Sequence, residues 1–187
     1  MGNCSSVLQD SLAWCQGKPE YPGIKRRVYF IDREQIVSWP TLPTNTEQQI
    51  TSATYTGNFT LATGAQWKFV DVLPDKCQLV SESQGETPSI TQLNRLTLVH
   101  PGVGEEATKA ALYFNNVSCV FLVETIDGKF RVVGNDRWDT VTKVSQDQGQ
   151  GATGTTSTTI EAEVTDIVPA PFYAGEIVTA DGTINEG

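Results

Sequence analysis

The chain has 187 residues, 39% of them hydrophobic and 19% charged, which is enough for one folded domain with a core, or a domain plus an arm. Its net charge of -9 sets the average surface against tight binding of a phosphate backbone, and no apolar run is long enough to cross a bilayer. The four cysteines, Cys4, Cys15, Cys77 and Cys119, include no CxxC pair, so neither a metal framework nor a redox motif is expected.

The first residues, Met1-Gly-Asn-Cys-Ser-Ser-Val7, lack the basic region and apolar core of a secretory leader, which predicts synthesis in a cytoplasm with reduced thiols. Gly2 and Cys4 match a lipidation pattern, but no polybasic patch adjoins them to supply a second membrane signal. Residues 1–22 read as an N-terminal arm. Ser5 to Cys15 within it predict a short helix, with Val7, Leu8, Leu12 and Cys15 on one face and Gly17 and Pro19 as its stop.

Val28–Ile31 and Ile36–Val37 read as short strands ended by Pro40 and Pro43. From Ala53 to Leu61 apolar and polar residues alternate, with Gly57 as a bulge candidate. Trp67 to Leu73 is apolar on both faces, which predicts a central strand. Gln78–Ser81 and Leu93–Val99 continue the strand pattern around a polar loop, Ser83–Ser89. Gly104 to Phe114 breaks it with good helix formers and two acids in the first turn, where they suit the helix dipole.

Val117–Ile126 and Lys129–Val133 flank Asp127-Gly128, the dipeptide a tight type I′ turn prefers. Trp138–Val144 predicts a further strand. Residues 145–158 form a flexible polar loop, too poor in apolar surface to fold alone. Thr158–Val168 then alternates with period two, Pro169-Ala-Pro171 ends it, and Gly175–Thr179 is a last short strand. Many short strands without a βαβ rhythm predict a mainly β chain. The expectation is one domain over residues 1–187, an antiparallel sandwich or barrel with one flanking α-helix and a short N-terminal helix.

Candidate chemistry is sparse. His100, the one histidine, sits in the turn Val99-His-Pro-Gly102 and has no nucleophile or orienting acid beside it in sequence. Glu161 and Glu163 share one face of a strand, with carboxylates roughly 7 Å apart. That spacing suits a hydrolase pair, the solvent side of an amphipathic strand, or an acidic patch facing a lumen. Asn135, Asp136 and Asp139 are too few for a Ca²⁺ loop, and the glycines of 149–154 lack the Lys-Ser/Thr of a phosphate cradle. Lys25, Arg26 and Arg27 are the one compact basic cluster. After Lys143 the chain carries seven acids and no Lys or Arg. In a ring of identical copies that asymmetry would add up to a sizeable field.

One set of segments carries a likeness. It comprises Gly17-Lys18 with Pro22-Gly-Ile24, Val28-Tyr-Phe-Ile31 leading to Ile36-Val-Ser-Trp-Pro40, Gly57-Asn-Phe-Thr-Leu61, Ser81-Glu-Ser-Gln-Gly85 and His100-Pro-Gly102. It continues in Val144-Ser-Gln-Asp-Gln-Gly-Gln-Gly-Ala-Thr-Gly154, Ile160-Glu-Ala-Glu-Val-Thr-Asp166 and Pro169-Ala-Pro-Phe172. In these, over nearly its whole length, the chain resembles the major tail (tail-tube) proteins of tailed bacteriophages, those of Bacteroides-type phages and prophages above all. The resemblance implies a β-sandwich with a flanking helix, whose copies join as rings, typically hexameric, with a continuous inner β-barrel. It further implies stacking into a tube that passes DNA without specific binding, a place in the virion tail after synthesis in the bacterial cytoplasm, and tape-measure and terminator proteins as partners. It implies no enzyme activity, cofactor, metal or membrane. The candidate lumen and assembly residues are Glu161, Glu163, Asp147 and Gln150. The other readings are another ring protein of a virion, an injection-system tube subunit, a monomeric ligand-binding β-barrel, a lipid-anchored accessory protein and a carboxylate-pair hydrolase.

Overall fold

The structure, a computed structural model, describes residues 9–185. In chain order its strands are β1 (Ile24–Asp32), β2 (Ile36–Ser38), β3 (Thr54–Tyr55), β4 (Thr60–Leu61), β5 (Lys68–Asp71), β6 (Gln78–Gln84) and β7 (Thr91–Pro101). Helix α1 (Glu105–Asn116) follows. Then come β8 (Cys119–Thr125), β9 (Phe130–Val133), β10 (Val141–Asp147), β11 (Ser157–Asp166), β12 (Phe172–Tyr173), β13 (Ile177–Thr179) and β14 (Gly182–Ile184). Among the described residues the chain is mainly β with one α-helix, and its sheets pack as a sandwich. One sheet has the order β3-β12-β9-β8-β1-β5 and the other β10-β11-β7-β6, with two small two-stranded ribbons, β2-β4 and β13-β14.

The core lies where the alternation of β7 and β11 meets β1 and β8. Leu96, Leu98, Ile160, Ala162 and Val164 point inward from the four-stranded sheet, and Val28, Phe121, Val123 and Val133 meet them from the other. The opposite face of the six-stranded sheet is buried too. There Tyr29, Ile31, Val120, Leu122 and Val132 pack against Ile36, Phe59, Trp67 and Ile177 from the ribbons and loops. A strand covered on both faces reads as a continuous apolar run, and Cys119-Val-Phe-Leu-Val123 is one, buried throughout. A hairpin turn at Asp127-Gly128 joins β8 to β9 as expected, but it is not type I′: Gly128 alone takes a positive φ, 86°, and the Thr125 N–H donates to the Lys129 carbonyl across a three-residue loop.

Helix α1 closes one side of the sandwich. Phe114 is its buried anchor and meets Phe30 edge-on, with ring centroids 4.8 Å apart. At its C-terminal end Asn116 donates from its amide to the Leu112 carbonyl at 2.8 Å. Asn115 instead reaches β10, where its side-chain oxygen accepts from the Val144 N–H at 2.9 Å.

Three expectations change. The N-terminal helix over Ser5–Cys15 does not form in its described part: Gln9–Cys15 carry no helix, and residues 9–23 are all exposed. Leu12, the middle of the expected apolar face, is 96% exposed. A lone helix this short is marginal in water, and here it has no surface to bury against. Ser5 to Leu8, like Gly2 and Cys4, lie outside the described residues. Second, Trp67–Leu73 is not a central strand. β5 is the outermost strand of its sheet, and Phe69 lies under the Arg27 guanidinium at 3.7 Å near the exposed edge. Its apolar faces reflect cover from both cores, since Trp67 joins one and Val70 and Val72 the other. Third, Ala53–Leu61 is not one strand. Gly57, at φ 90°, turns the chain, so β3 and β4 belong to different sheets. Tyr55, Phe59 and Leu61 nevertheless reach the same core, as their alternation implied.

Asp166 closes β11 as a buried carboxyl group. One oxygen accepts from the Ile167 N–H at 2.7 Å, and the group is buried near the Val168 N–H and the Asn135 side chain. Burial holds this group above the usual carboxylate range. The folded state therefore binds the proton more tightly than the unfolded chain. The stability it contributes is complete at low pH and is lost as pH rises through the folded value. Asp166→Asn should raise the melting temperature at pH 7 and lose that advantage towards about pH 4, a trend that thermal melts across pH will read.

Candidate functional site

The four-stranded sheet turns its second face to solvent. The strand register places Val141, Lys143, Ser145 and Asp147 of β10 beside Glu163, Glu161, Thr159 and Ser157 of β11. Next come Leu93, Arg95 and Thr97 of β7, then Gln78, Val80, Glu82 and Gln84 of β6. Glu161 lies between Lys143 and Thr97, and Glu163 between Val141 and Arg95. Arg95 bridges two acids, at 3.0 Å from Glu163 Oε1 and 2.9 Å from Glu82 Oε2. All three side chains are about half exposed, so the network orders the face and adds little to stability. On this face four carboxylates, Glu82, Asp147, Glu161 and Glu163, meet two cations, Arg95 and Lys143, which leaves it weakly acidic.

Glu161 and Glu163 are thus neighbours on an open surface, as their alternation with Ile160, Ala162 and Val164 indicates. The concavity around them is about 290 Å³, and its apolar lining is limited to Leu93, Val141 and Val164. A carboxylate pair for hydrolysis needs one acid in an apolar setting that keeps it protonated. Here Glu163 is tied to Arg95 and Glu161 faces Lys143.

Asp147 and Gln150 are not drawn into this cluster. Asp147 ends β10, where its Oδ1 accepts from the Gly149 N–H at 2.8 Å. Gln150 is exposed and opens the 3-10 turn Gly151–Thr153. Pairing of β10 with β11 extends to Asp147 and Ser157, so strands take up both ends of the polar segment and the connection itself is 148–156. The connection folds closely on itself: a Cβ at Gly154 would lie 2.2 Å from the Gln150 nitrogen.

The other candidates serve structural roles. His100 Nδ1 donates to the Asp71 carbonyl at 2.7 Å, which ties the end of β7 to β5. Asn135 orders its own turn by accepting from the Arg137 and Trp138 N–H groups, and it donates to the Thr165 carbonyl at 2.7 Å. The Arg33 guanidinium holds Asp139 and the carbonyls of Asn135 and Asp136, so a cation already sits among these oxygens. Lys25, Arg26 and Arg27 do not act together: Lys25 pairs with Glu124 and Arg27 with Asp71. Among the described residues no helix is long and apolar enough to cross a membrane.

The edges of the sheet matter more than its face. In an antiparallel ladder, residues point their N–H and C=O alternately toward one neighbour and the other. Because the Val144 N–H points away from β11 to Asn115, the same phase carried across the sheet directs Leu79, Ser81 and Ser83 of β6 away from β7. β6 therefore ends the sheet with a row of outward backbone groups. At the other end β10 directs Thr142, Val144 and Gln146 outward, but α1 lies along this edge: Asn115 takes the Val144 N–H, Thr108 bonds the Gln146 side chain and Thr142 is buried. Sequence reasoning did not find Arg95, Glu82 or Ser83. The polar positions of β6 and β7 were visible, but strand order and register were not.

No family model, curated protein or solved structure matches the chain.

Proposed function

We propose that the protein is a non-enzymatic structural subunit that joins head to tail into closed rings, which stack as the tail tube of a phage virion and let DNA through. The observation that carries this reading is a four-stranded, fully antiparallel sheet whose end strands, β6 and β10, pair with no further strand among the described residues, and whose open face is polar and weakly acidic. Four is an even number. Strand directions alternate across the sheet, so β6 of one copy and β10 of the next are antiparallel when copies follow one another around a rotation axis. Ring closure would then remove the edges, which a soluble β-protein must otherwise protect. A wall that shows Glu82, Glu161 and Glu163 to the lumen, with Arg95 and Lys143 between them, would repel a phosphate backbone mildly and leave nothing for it to hold. The sequence likeness to tail-tube proteins points the same way. In this setting tape-measure and terminator proteins are the expected partners.

Negative-stain microscopy of the purified protein should show rings or tubes, and light scattering should give a mass several times that of one chain. A single-chain mass that persists on concentration would overturn the reading.

A further inference from the structure

A cleft of about 440 Å³ opens between the two large sheets. Ile24, Thr125 and Arg131 border it from the six-stranded sheet, and Leu79 and Ser81 from β6, with Pro169 beside them. Arg131 brings a positive charge into this cleft. It stands two residues before Val133, which belongs to the core between the sheets, so alternation along β9 puts both on the same side. Of the three half-buried arginines, Arg27 holds Asp71 and Arg33 holds Asp139, whereas Arg131 holds no carboxylate among the described residues. Its one hydrogen bond there runs from the guanidinium to the Ala170 carbonyl at 3.2 Å. The guanidinium lies over the Phe172 ring, 4.2 Å from its centroid, which fixes its plane and leaves the rest of its fork of N–H donors without a partner.

A partly buried charge without a counter-ion is costly, and folds normally pair it. Burial indeed pushes the Arg131 guanidinium down from its ordinary value. The charges around it do not offset it. Lys129, on the same side of β9, adds a second cation, 5.7 Å from the Phe172 ring. The acid nearest Lys129, Asp127, is 4.0 Å from it at the hairpin tip, and Glu124 is taken by Lys25. The cleft is thus locally positive in a chain of net charge -9. A flat, preset guanidinium fork matches a carboxylate, which accepts two parallel N–H bonds from it. Ile24, Leu79 and Pro169 offer apolar surface beside that charge. A bare inorganic anion would leave this surface wet, whereas an acid with a hydrocarbon body would cover it.

We infer that the cleft between β6 and β9 binds a small organic acid, with its carboxylate on the Arg131 guanidinium and its apolar body against Ile24, Leu79 and Pro169. Such a site is independent of ring closure, because all of its residues come from one chain.

Hexanoate serves as the probe, with hexanol and acetate as controls that lack the charge or the body. In saturation-transfer NMR with the full chain, hexanoate should bind saturably and roughly tenfold more tightly than either control. Arg131→Lys keeps the charge but loses the flat fork, and should weaken hexanoate binding roughly tenfold. Arg131→Gln should abolish it. Three results would each overturn the site: no saturable binding of hexanoate, hexanol binding as tightly as hexanoate, or an Arg131→Gln protein that melts like the parent and still binds hexanoate. Should Arg131→Gln fail to fold, the comparison of hexanoate with hexanol on the unaltered chain decides the matter.

Discussion

Ser83→Pro should abolish ring assembly and leave the subunit folded. Ser83 sits on β6, exposed, with its backbone directed away from β7. Proline there removes one outward N–H and places its ring where an incoming strand would lie, yet costs the β6–β7 ladder nothing. The residue before it, Glu82, is already extended in the strand, as a residue preceding proline prefers. The known loss is one side-chain bond, from Gln92 Nε2 to the Ser83 hydroxyl at 2.9 Å on an exposed surface, worth about 1 kcal/mol or less. Sedimentation velocity should then show a single-chain species, with a melting curve close to that of the unassembled parent. If the variant assembles like the parent, β6 is not the joining edge.

Phe121→Ala should have the largest effect on the fold itself. Phe121 is fully buried at the centre of β8, where its ring lies 6.0 Å from that of Phe114 and 6.4 Å from that of Phe30. It links β8, β1 and α1 at one point, so no single neighbour can move in to fill the space. Truncation of such a residue costs about 3–5 kcal/mol, a large share of the ~5–15 kcal/mol that holds a domain together. Urea unfolding should show the unfolding free energy falling by that amount, read as a lower midpoint at an unchanged slope. A loss under about 1 kcal/mol would mean that the helix does not bear on the sheet as described. Since α1 flanks β10, this variant should also weaken assembly, whereas Ser83→Pro should affect assembly alone.

Much of the fold was legible because local chemistry sufficed. Ile160, Ala162 and Val164 alternating with Glu161 and Glu163 announced a strand with one wet face, and β11 has that face. Asp127-Gly128 announced the hairpin, and the acids at Glu105 and Glu106 announced the start of α1. What failed did so where a distant partner decides. The apolar residues of the arm suggested a helix, but no surface of the fold comes to meet Leu12. Trp67–Leu73 suggested a central strand, because burial on two faces looks the same in sequence whether the strand has one neighbour or two.

The candidate site divides the same way. Alternation, turn residues and charge are properties of neighbours along the chain, and they established a β-rich domain, an outward pair of glutamates and a polar connection after β10. Which strand lies beside which depends on contacts between residues far apart in the chain, and a shift of one register position would have turned Glu161 and Glu163 into the core. Only the tertiary structure therefore placed Arg95 between Glu82 and Glu163, put β6 and β10 at the ends of one sheet, and opened a groove between α1 and β5.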